Sequence, residues 1–443
     1  MTYEEAIQFW FGRVNYEHKS PQVGDFKLDR MRHLLALFGD PHHRLRIVHI
    51  AGSKGKGSTS ALLGSILQHA GYRVGLFTSP HLVAVEERIQ VDQEPIGKNE
   101  LTALLGEIRE GTPNAFLQEL TFFEIGTLLG FLHFVRRRVD FAIVEVGLGG
   151  RFDSTNVCDP LFSVITSISY DHTQILGNTL AQIAFEKAGI VKPGRATISG
   201  VRDPEARQMI EKACAERASH LYQLDVDFRY EHTPALIMAS TDRMASVEVV
   251  TPQRRWPAME IGLIGEHQAR NAALAVACVE ALLARGVPIG DRAVAEGLAR
   301  VVWPARLEVL ARRPLVVLDC AHNVASARAL VQSLAASFPF SGHRLLIFGG
   351  NRDKDLAGML ELLAPEFDRI FLTSFKSNAR CLPPEQLAAL VPQAKRSTAF
   401  LCSDSAQAWD RVRAEATPAD LICVAGSVFL AGELRPMILH TSA

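Results

Sequence analysis

Glycine, lysine and hydroxyl residues alternate in one short run, Gly52-Ser53-Lys54-Gly55-Lys56-Gly57-Ser58-Thr59. Glycines let backbone N–H groups turn toward an anion without hindrance from a Cβ atom. A lysine such as Lys56 can reach the outer phosphates of a nucleoside triphosphate, and the hydroxyl of Ser58 or Thr59 can hold Mg²⁺. The run therefore predicts a phosphate-binding loop. The alternative is an ordinary glycine turn whose lysines face solvent.

The flanks of this run support the phosphate-loop interpretation. Residues 47–51 are apolar and rich in β-branched side chains, as in a buried strand, and apolar residues recur at helical spacing over 62–70. A strand, a glycine turn and a helix N-terminus together form an anion site. The run departs from the usual G-x-x-x-x-G-K-[ST] pattern because it is shorter and Gly57 separates Lys56 from Ser58.

Three further side chains that can bind a metal stand at the ends of predicted strands: Ser79, Glu145 and His172. Glu145 is the most informative, because a carboxylate in an apolar run must pair or bind a metal to be tolerated. A salt bridge at a strand end is the alternative for Glu145, and a structural histidine and a plain turn are the alternatives for His172 and Ser79. Oxygen-rich coordination suits Mg²⁺, with Mn²⁺ as a substitute where a histidine takes part.

Two other segments carry reactive groups whose roles stay open on the residues alone. Lys187 follows Glu186 on an amphipathic helix, and this pattern favours a solvent-exposed pair. The segment Asp319-Cys320-Ala321-His322-Asn323 ends a predicted strand, where it either orients a substrate or caps the next helix. The chain has no G-x-S-x-G elbow, H-E-x-x-H pattern or C-x-x-C pair, so covalent-nucleophile and zinc chemistry have no support.

Strand and helix patterns alternate along the chain in two series, which indicates an α/β fold. Predicted strands lie at 47–51, 74–78, 140–146 and 161–168, and again at 315–319, 345–348, 369–373 and 421–425. The stretch 301–308 breaks the alternation. We predict an N-terminal P-loop-type domain with a mostly parallel sheet over residues 1–300 and a smaller, Rossmann-like α/β domain over residues 301–443. The reactive groups follow strand ends, where open parallel sheets bind ligands.

Composition narrows the class of protein. The 443 residues are 48% hydrophobic and 7% aromatic and carry a net charge of −1, which gives no support for nucleic-acid binding. The first residues are acidic and amphipathic, unlike a signal peptide, and no apolar run reaches the length of a membrane span. The seven cysteines are scattered, as reduced packing residues are. We expect a cytoplasmic monomer with small-molecule substrates and no nucleic-acid or membrane partner.

Taken in order, these segments resemble the folylpolyglutamate synthase/dihydrofolate synthase family, a branch of the Mur ligases. The resemblance covers nearly the whole chain, and the ordered set of motifs is specific although each motif alone is weak. Besides the phosphate loop, the motifs lie at residues 78–82, 144–153, 171–172, 186–189, 266–271, 303–306, 319–323 and 426–430. One departure is visible, because the family usually has Thr-Asn where this chain has Ser53-Lys54.

The resemblance implies an ATP-dependent ligase of folate biosynthesis and retention. It would add L-glutamate to dihydropteroate, to folate polyglutamates or to both, through an acyl phosphate that needs positioning and charge neutralisation rather than a nucleophilic side chain. A Mur-type amino-acid ligase of cell-wall synthesis is one alternative, which Gly57 and the segment at 78–82 disfavour. A P-loop ATPase acting on a protein partner is another, which would leave the second domain without a role.

The resemblance also implies which residues form the site. The ATP phosphates would be held by Gly55, Lys56, Gly57 and Ser58, and the nucleotide site would be completed by Asn271, Arg306 and Asp319. Two Mg²⁺ ions are expected, with ligands from Ser79, Glu145 and His172. Lys187 would be carbamylated and would support the second ion, and His322 would lie close to the incoming amino acid.

The folate side of the site is predicted from the same resemblance. It would be built from the loop around Lys27, from Arg30 and from the segments that carry Phe123 and Asp153. A pterin needs a flat apolar slot and a carboxylate or backbone partner, and Phe123 and Asp153 suit those two requirements.

Overall fold

A computed structural model describes residues 1–16, 28–238, 242–339 and 342–442. The loop around Lys27 that was predicted for the folate side lies outside the described residues. The chain divides into two compact units, of which unit 1 comprises Met1–Glu231, Val247–Met259 and Arg270–Val301. Unit 2 comprises His232–Ser246, Glu260–Ala269 and Val302–Ala443. The last change of unit thus falls between Val301 and Val302, beside the predicted boundary, while unit 2 also takes two earlier segments.

The sheet of unit 1 is mostly parallel. Its strands are β1 (Ile47–Ala51), β2 (Val74–Phe77), β3 (Ile89–Val91), β4 (Glu94–Pro95), β5 (Phe141–Glu145), β6 (Phe162–Ile165), β7 (Ala196–Ser199) and β8 (Leu221–Gln223). In the described residues they form one sheet of order β4-β3-β2-β5-β1-β6-β7-β8, with β3 antiparallel to both β2 and β4. The chain order reverses around β1, and ligands bind at the carboxyl ends of strands at such a reversal.

Helices connect and cover these strands. They are α1 (Tyr3–Phe11), α2 (Leu28–Leu37), α3 (Lys56–His69), α4 (Lys98–Gly111), α5 (Asn114–Leu117), α6 (Phe122–Arg136), α7 (Thr173–Leu176), α8 (Leu180–Lys187), α9 (Pro204–Glu216), α10 (Glu266–Leu283) and α11 (Asp291–Ala299). Helix α3 is buried along most of its length, and α11 packs so closely on it that a Cβ at Gly297 would overlap Cα of Ile66. No described helix is both long and apolar enough to cross a bilayer.

Five short strands lie between residues 229 and 261 of the described chain. They are β9 (Arg229–Thr233), β10 (Leu236–Ile237), β11 (Asp242–Arg243), β12 (Ala245–Val250) and β13 (Arg255–Ile261). Strands β10 and β11 pair antiparallel, and β13, β12 and β9 form a small sheet in that order. Buried and partly buried residues alternate along β12, as in a strand with one face in a core.

Unit 2 is a second α/β layer structure. Its strands are β14 (Glu308–Arg312), β15 (Leu315–Leu318), β16 (Arg344–Phe348), β17 (Arg369–Leu372), β18 (Ala399–Leu401) and β19 (Leu421–Ala425), in the order β14-β15-β19-β16-β17-β18. Its helices are α12 (Val324–Ser337), α13 (Leu356–Leu363), α14 (Pro384–Leu390), α15 (Ser405–Glu415) and α16 (Val428–Ser442). Only β14 runs antiparallel to its neighbour among the described pairs. The predicted α/β fold with two parallel-rich sheets is confirmed.

Candidate active site

The glycine run forms a loop between β1 and α3, as predicted. Gly52 and Gly55 have φ of +153° and +86°, and Gly55 is the N-cap of α3. A Cβ at Gly52 would overlap the hydroxyl of Thr166, and one at Gly55 would overlap the side-chain amide of Asn271. Only glycine fits these two positions. The structure therefore brings the predicted nucleotide residue Asn271 directly to the predicted phosphate loop.

A buried carboxylate stands beside this loop. Glu145 ends β5, and its Oε1 lies 3.5 Å from Nζ of Lys56, with the two side chains 5% and 18% exposed. The backbone N–H of Ser79 donates to Oε2 of Glu145 at 3.4 Å. The salt bridge considered for Glu145 thus exists, and its partner is the phosphate-loop lysine. Since phosphate competes for the same cation, Lys56 and Glu145 form a site that an anionic ligand can rearrange.

Few side chains at this site can bind a metal ion, and most of their ligand atoms are oxygens. Within the described ranges, no three His, Cys, Asp or Glu side chains are grouped to hold a metal ion. Ser79 and Glu145 are adjacent, and His172 stands at the start of α7. Mg²⁺ typically uses one or two carboxylates together with substrate phosphates and waters. The residues present therefore fit Mg²⁺ better than a metal that needs a complete protein cage.

Lys187, at the end of α8, is buried. The residue is 5% exposed, and its Nζ donates to the carbonyl oxygen of Gly52 at 3.1 Å. Burial, followed by the nearby cation of Lys56 and then by Lys54, lowers the pKa of Lys187 to about 7, although Asp171 acts in the opposite direction. The interpretation of Lys187 as half of a solvent-exposed pair is wrong. Its amine contacts the phosphate loop instead.

His172 follows a carboxylate that also reaches the loop. Its backbone has φ of +51°, in the left-handed region, and its N–H donates to Oδ1 of Asp171 at 3.1 Å. The other oxygen of Asp171 lies 2.8 Å from Nζ of Lys54. His172 therefore stands at the N-terminus of α7, and the side chain of the preceding residue, Asp171, contacts the phosphate loop.

The residues predicted for the folate side gather near the start of α6. Nε of Arg30 lies 2.7 Å from Oε1 of Glu124, whose other oxygen accepts from the backbone and hydroxyl of Thr121 in a capping box. The ring of Phe123 is centred 5.8 Å from that of Phe77 and lies where a Cβ of Gly147 would be. Phe123 thus packs on the loop that follows Glu145.

Asp153 has internal partners. It is buried and caps a short 3₁₀ helix, with Oδ1 accepting from the backbone of Thr155 at 3.0 Å and Oδ2 from that of Leu148 at 2.9 Å. Burial raises the pKa of Asp153, and these hydrogen bonds oppose the rise. The hydroxyl of Thr155 also donates to Asp153 and contacts Nε2 of buried His49 at 2.8 Å. The contacts shown for this carboxylate hold the loop after β5, whereas pterin binding by Asp153 stays a prediction.

In unit 2, the predicted residues meet at the end of β15. Asp319 is buried, and its two oxygens accept from the backbone of Leu307 at 2.9 Å and of Ala321 at 2.8 Å. Burial raises the pKa of Asp319, while the guanidinium of Arg306 counteracts the shift. Nδ1 of His322 lies 2.9 Å from the carbonyl oxygen of Cys320. A carbonyl only accepts, so Nδ1 carries the proton and Nε2 is the ring nitrogen that can receive one.

Unit 2 contains a basic cluster that no sequence pattern indicated. Two loops follow the carboxyl ends of β16 and β17, and they join through the bridge of Asn351 with Cys381 and the N–H of Arg352, which donates to the carbonyl of Arg380 at 2.9 Å. These loops carry Arg352, Lys354 and Arg380, and Nη1 of Arg380 lies 3.4 Å from Oδ2 of Asp353 in the same pair of loops. Oδ1 of Asn351 is buried without a hydrogen-bond partner in the described residues. Ligands bind at the carboxyl ends of parallel strands, and this rule, which indicated Glu145, would also have indicated these two loops.

Two family models match the chain. The Mur ligase middle domain matches residues 50–279, and the glutamate ligase domain of the Mur ligases matches residues 305–428. A dihydrofolate synthase/folylpolyglutamate synthase of Bacillus subtilis is 38% identical over 382 residues, which cover 84% of this chain and 85% of the relative. A folylpolyglutamate synthase of Lacticaseibacillus casei is 32% identical, with 96% of this chain and 98% of the relative covered.

Solved structures show the same likeness over the full length. Escherichia coli FolC in complex with DHPP and ADP has a TM-score of 0.86 at 29% identity, with 100% of this chain and 99% of that chain covered. Mycobacterium tuberculosis folylpolyglutamate synthase complexed with ADP has a TM-score of 0.87 at 30% identity, with 98% of each chain covered. This chain belongs to the folylpolyglutamate synthase/dihydrofolate synthase family of the Mur ligases.

Proposed function

We propose that this protein is an ATP-dependent ligase that joins L-glutamate to a folate or dihydropteroate carboxylate. The observation that carries the proposal is the phosphate loop with Lys56, Glu145 and Lys187 gathered around it. Relatives that cover most of the chain are named as dihydrofolate and folylpolyglutamate synthases. The same geometry in a protein of unrelated family would support ATP use alone.

The reaction proceeds through two transfers. The γ-phosphoryl group of ATP moves to an oxygen of the substrate carboxylate, which gives an acyl phosphate and ADP. The amine of glutamate then attacks the acyl carbon, so that the C–N bond forms, the C–O bond to phosphate breaks and the amine loses a proton. We assign Nε2 of His322 as the acceptor of this proton, because Nδ1 is held as a donor to the carbonyl oxygen of Cys320.

Lys56 and the backbone of the glycine loop position the phosphates in this scheme, and Asn271 borders the loop at Gly55. Ser79, Glu145 and His172 would hold Mg²⁺, which when bound neutralises charge on the phosphates. Arg306 and Asp319 are proposed to contact the nucleotide, and Arg30, Phe123 and Asp153 to form the folate side. Lys187, with its amine on the carbonyl of Gly52, is proposed to be carbamylated.

The incoming glutamate has two carboxylates, and the basic cluster of unit 2 offers cations for them. Replacing Arg352 by alanine is expected to raise the KM for glutamate by about tenfold or more, because a hydrogen bond to a charged group contributes about 1.5–3 kcal/mol. The KM for ATP should stay near that of the unmodified enzyme. Steady-state kinetics with each substrate varied in turn measure both values.

Arg369→Ala is the matched control for this prediction. Arg369 begins the neighbouring strand β17 and pairs with Glu415 with half of its side chain exposed. Its removal should leave both KM values unchanged. An Arg352→Ala enzyme with the normal KM for glutamate would place the amino-acid site elsewhere.

The proposed function is tested by phosphate release from MgATP with glutamate, with dihydropteroate or tetrahydrofolate as the acceptor. Release should require the acceptor and glutamate together. Turnover with both acceptors would establish a bifunctional synthase, and turnover with one would assign the protein to that branch. ATP hydrolysis that ignores both acceptors would favour an ATPase acting on a protein partner and refute the ligase.

A further inference from the structure

The phosphate loop is fastened along its length to the segment that follows β6. The hydroxyls of Thr166 and Ser167 donate to the carbonyl oxygen of Lys54 at 2.7 and 2.9 Å. The backbone N–H of Ser53 donates to the carbonyl of Ser167 at 2.8 Å, and the N–H of Ser169 donates to the hydroxyl of Ser53 at 3.0 Å. Ser53 and Lys54 are therefore the residues through which the loop and this segment are joined.

The side chain of Lys54 extends this joint by one more contact. Its Nζ lies 2.8 Å from Oδ2 of Asp171, and the two side chains are only 23% and 10% exposed. Oδ1 of the same carboxylate accepts from the backbone N–H of His172 at 3.1 Å. Asp171 thus connects the cation of the phosphate loop to the turn that carries His172. A charge-assisted hydrogen bond shielded from water is stronger than one at the surface.

The backbone conformation of His172 depends on this connection. Its φ of +51° lies in the left-handed region, which residues other than glycine adopt uncommonly. The hydrogen bond to Asp171 supports this conformation, and Lys54 fixes Asp171 in turn. Asp171 also lies beside the predicted phosphate site, since its carboxylate contacts Lys54 of the phosphate loop. Without Lys54, the carboxylate of Asp171 would lose the cation that lies 2.8 Å from it, and its negative charge would disfavour bound phosphates more strongly.

We propose that Lys54 is a positioning residue with two effects on the nucleotide site: it neutralises Asp171, and through Asp171 it holds the His172 turn against the phosphate loop. The proposal rests on the proposed function only for the identity of the nucleotide. It predicts that loss of the Lys54 charge weakens nucleotide binding, whereas loss of the Asp171 charge does not.

The test is a double-mutant cycle read out by calorimetric binding of ADP to the full-length protein. Without Mg²⁺, K54M should weaken ADP binding by about tenfold, because it removes a positive charge beside Asp171 and the phosphate loop. D171N should not weaken ADP binding, because it removes a negative charge near the phosphate loop and keeps the positive charge of Lys54. K54M/D171N, with neither charge, should return to within about threefold of the wild type, because removing the carboxylate cancels the loss that K54M causes.

The second readout separates positioning from charge. With the ion pair lost, K54M, D171N and the double variant should each need about tenfold more Mg²⁺ for half-maximal phosphate release, whereas K54R should stay near the wild type. K54Q, which keeps length and polarity, replaces K54M if that variant does not fold. K212M, on the exposed face of α9, is the surface control.

Two results would overturn the proposal. One is an ADP affinity of K54M and K54Q equal to that of the wild type, and the other is a double variant that binds ADP as weakly as K54M does. Because ADP binding needs neither folate nor glutamate, it is measured independently of the ligase assay. Coupled binding effects in a protein that fails that assay would refute the proposed function and leave the role of Lys54 standing.

Discussion

Replacing Lys56 by alanine is expected to lower the rate of glutamate-dependent phosphate release by about 10²–10³-fold, the usual effect of removing one preorganised group that stabilises transition-state charge. Lys56 is the phosphate-loop cation whose Nζ lies 3.5 Å from Glu145. In the presence of ATP we expect it to turn to the phosphates, where its charge acts on the group being transferred. Stopped assays of phosphate and of glutamylated product should show the same loss.

The fold should survive this substitution. Lys56 is the first residue of α3, its side chain is 18% exposed, and alanine is a good helix former at that position. Removing it does leave Glu145 without this cation, so some loss of stability is expected, and thermal unfolding of the variant measures it. Lys212→Ala removes an exposed lysine of α9 and should change neither rate nor stability. Wild-type turnover by Lys56→Ala would exclude Lys56 from the phosphate site.

Much of unit 1 follows from residue patterns because its strands are buried on both faces. The apolar run at 47–51 is β1 to the residue, and β5 and β6 lie inside the predicted ranges 140–146 and 161–168. Such runs are read reliably, since a parallel sheet covered by helices needs continuous apolar strands. Edge strands lack that signal. β14 and β18 are short and partly exposed, and no pattern in the sequence predicted them.

Side-chain environments were harder to predict than elements. Lys187 adjoins Glu186 in the sequence, and only the packing of α8 against the phosphate loop shows that one of the two is buried. Asp153 was predicted to bind the pterin because it is a carboxylate. In the structure its oxygens accept hydrogen bonds from backbone groups two to five residues away. In both cases the deciding partner is a backbone atom. Periodicity carries no information about such contacts, because every residue has the same backbone groups.

The second large effect is expected at Lys187. Replacing it by alanine should lower turnover by about 10²-fold or more if its carbamate supports catalysis, and short carboxylates such as acetate should restore part of the rate. A carbamate forms when the neutral amine attacks CO₂, so that an N–C bond forms and the nitrogen loses a proton. With its pKa lowered to about 7, about half of Lys187 is neutral at pH 7, against roughly three in ten thousand for an ordinary lysine.

The sign of the pH effect follows from that pKa. Below about pH 6 the ammonium form predominates, the carbamate is lost and activity should fall; above pH 7 the neutral amine is available and bicarbonate should restore activity. Labelled bicarbonate should give a carbamate signal in the ¹³C NMR spectrum of the wild type that Lys187→Ala lacks and Lys212→Ala retains. Near-normal turnover in Lys187→Ala would mean that the buried amine serves the loop only through its hydrogen bond to Gly52. In that case the lowered pKa of Lys187 would result from its burial and would have no role in carbamylation.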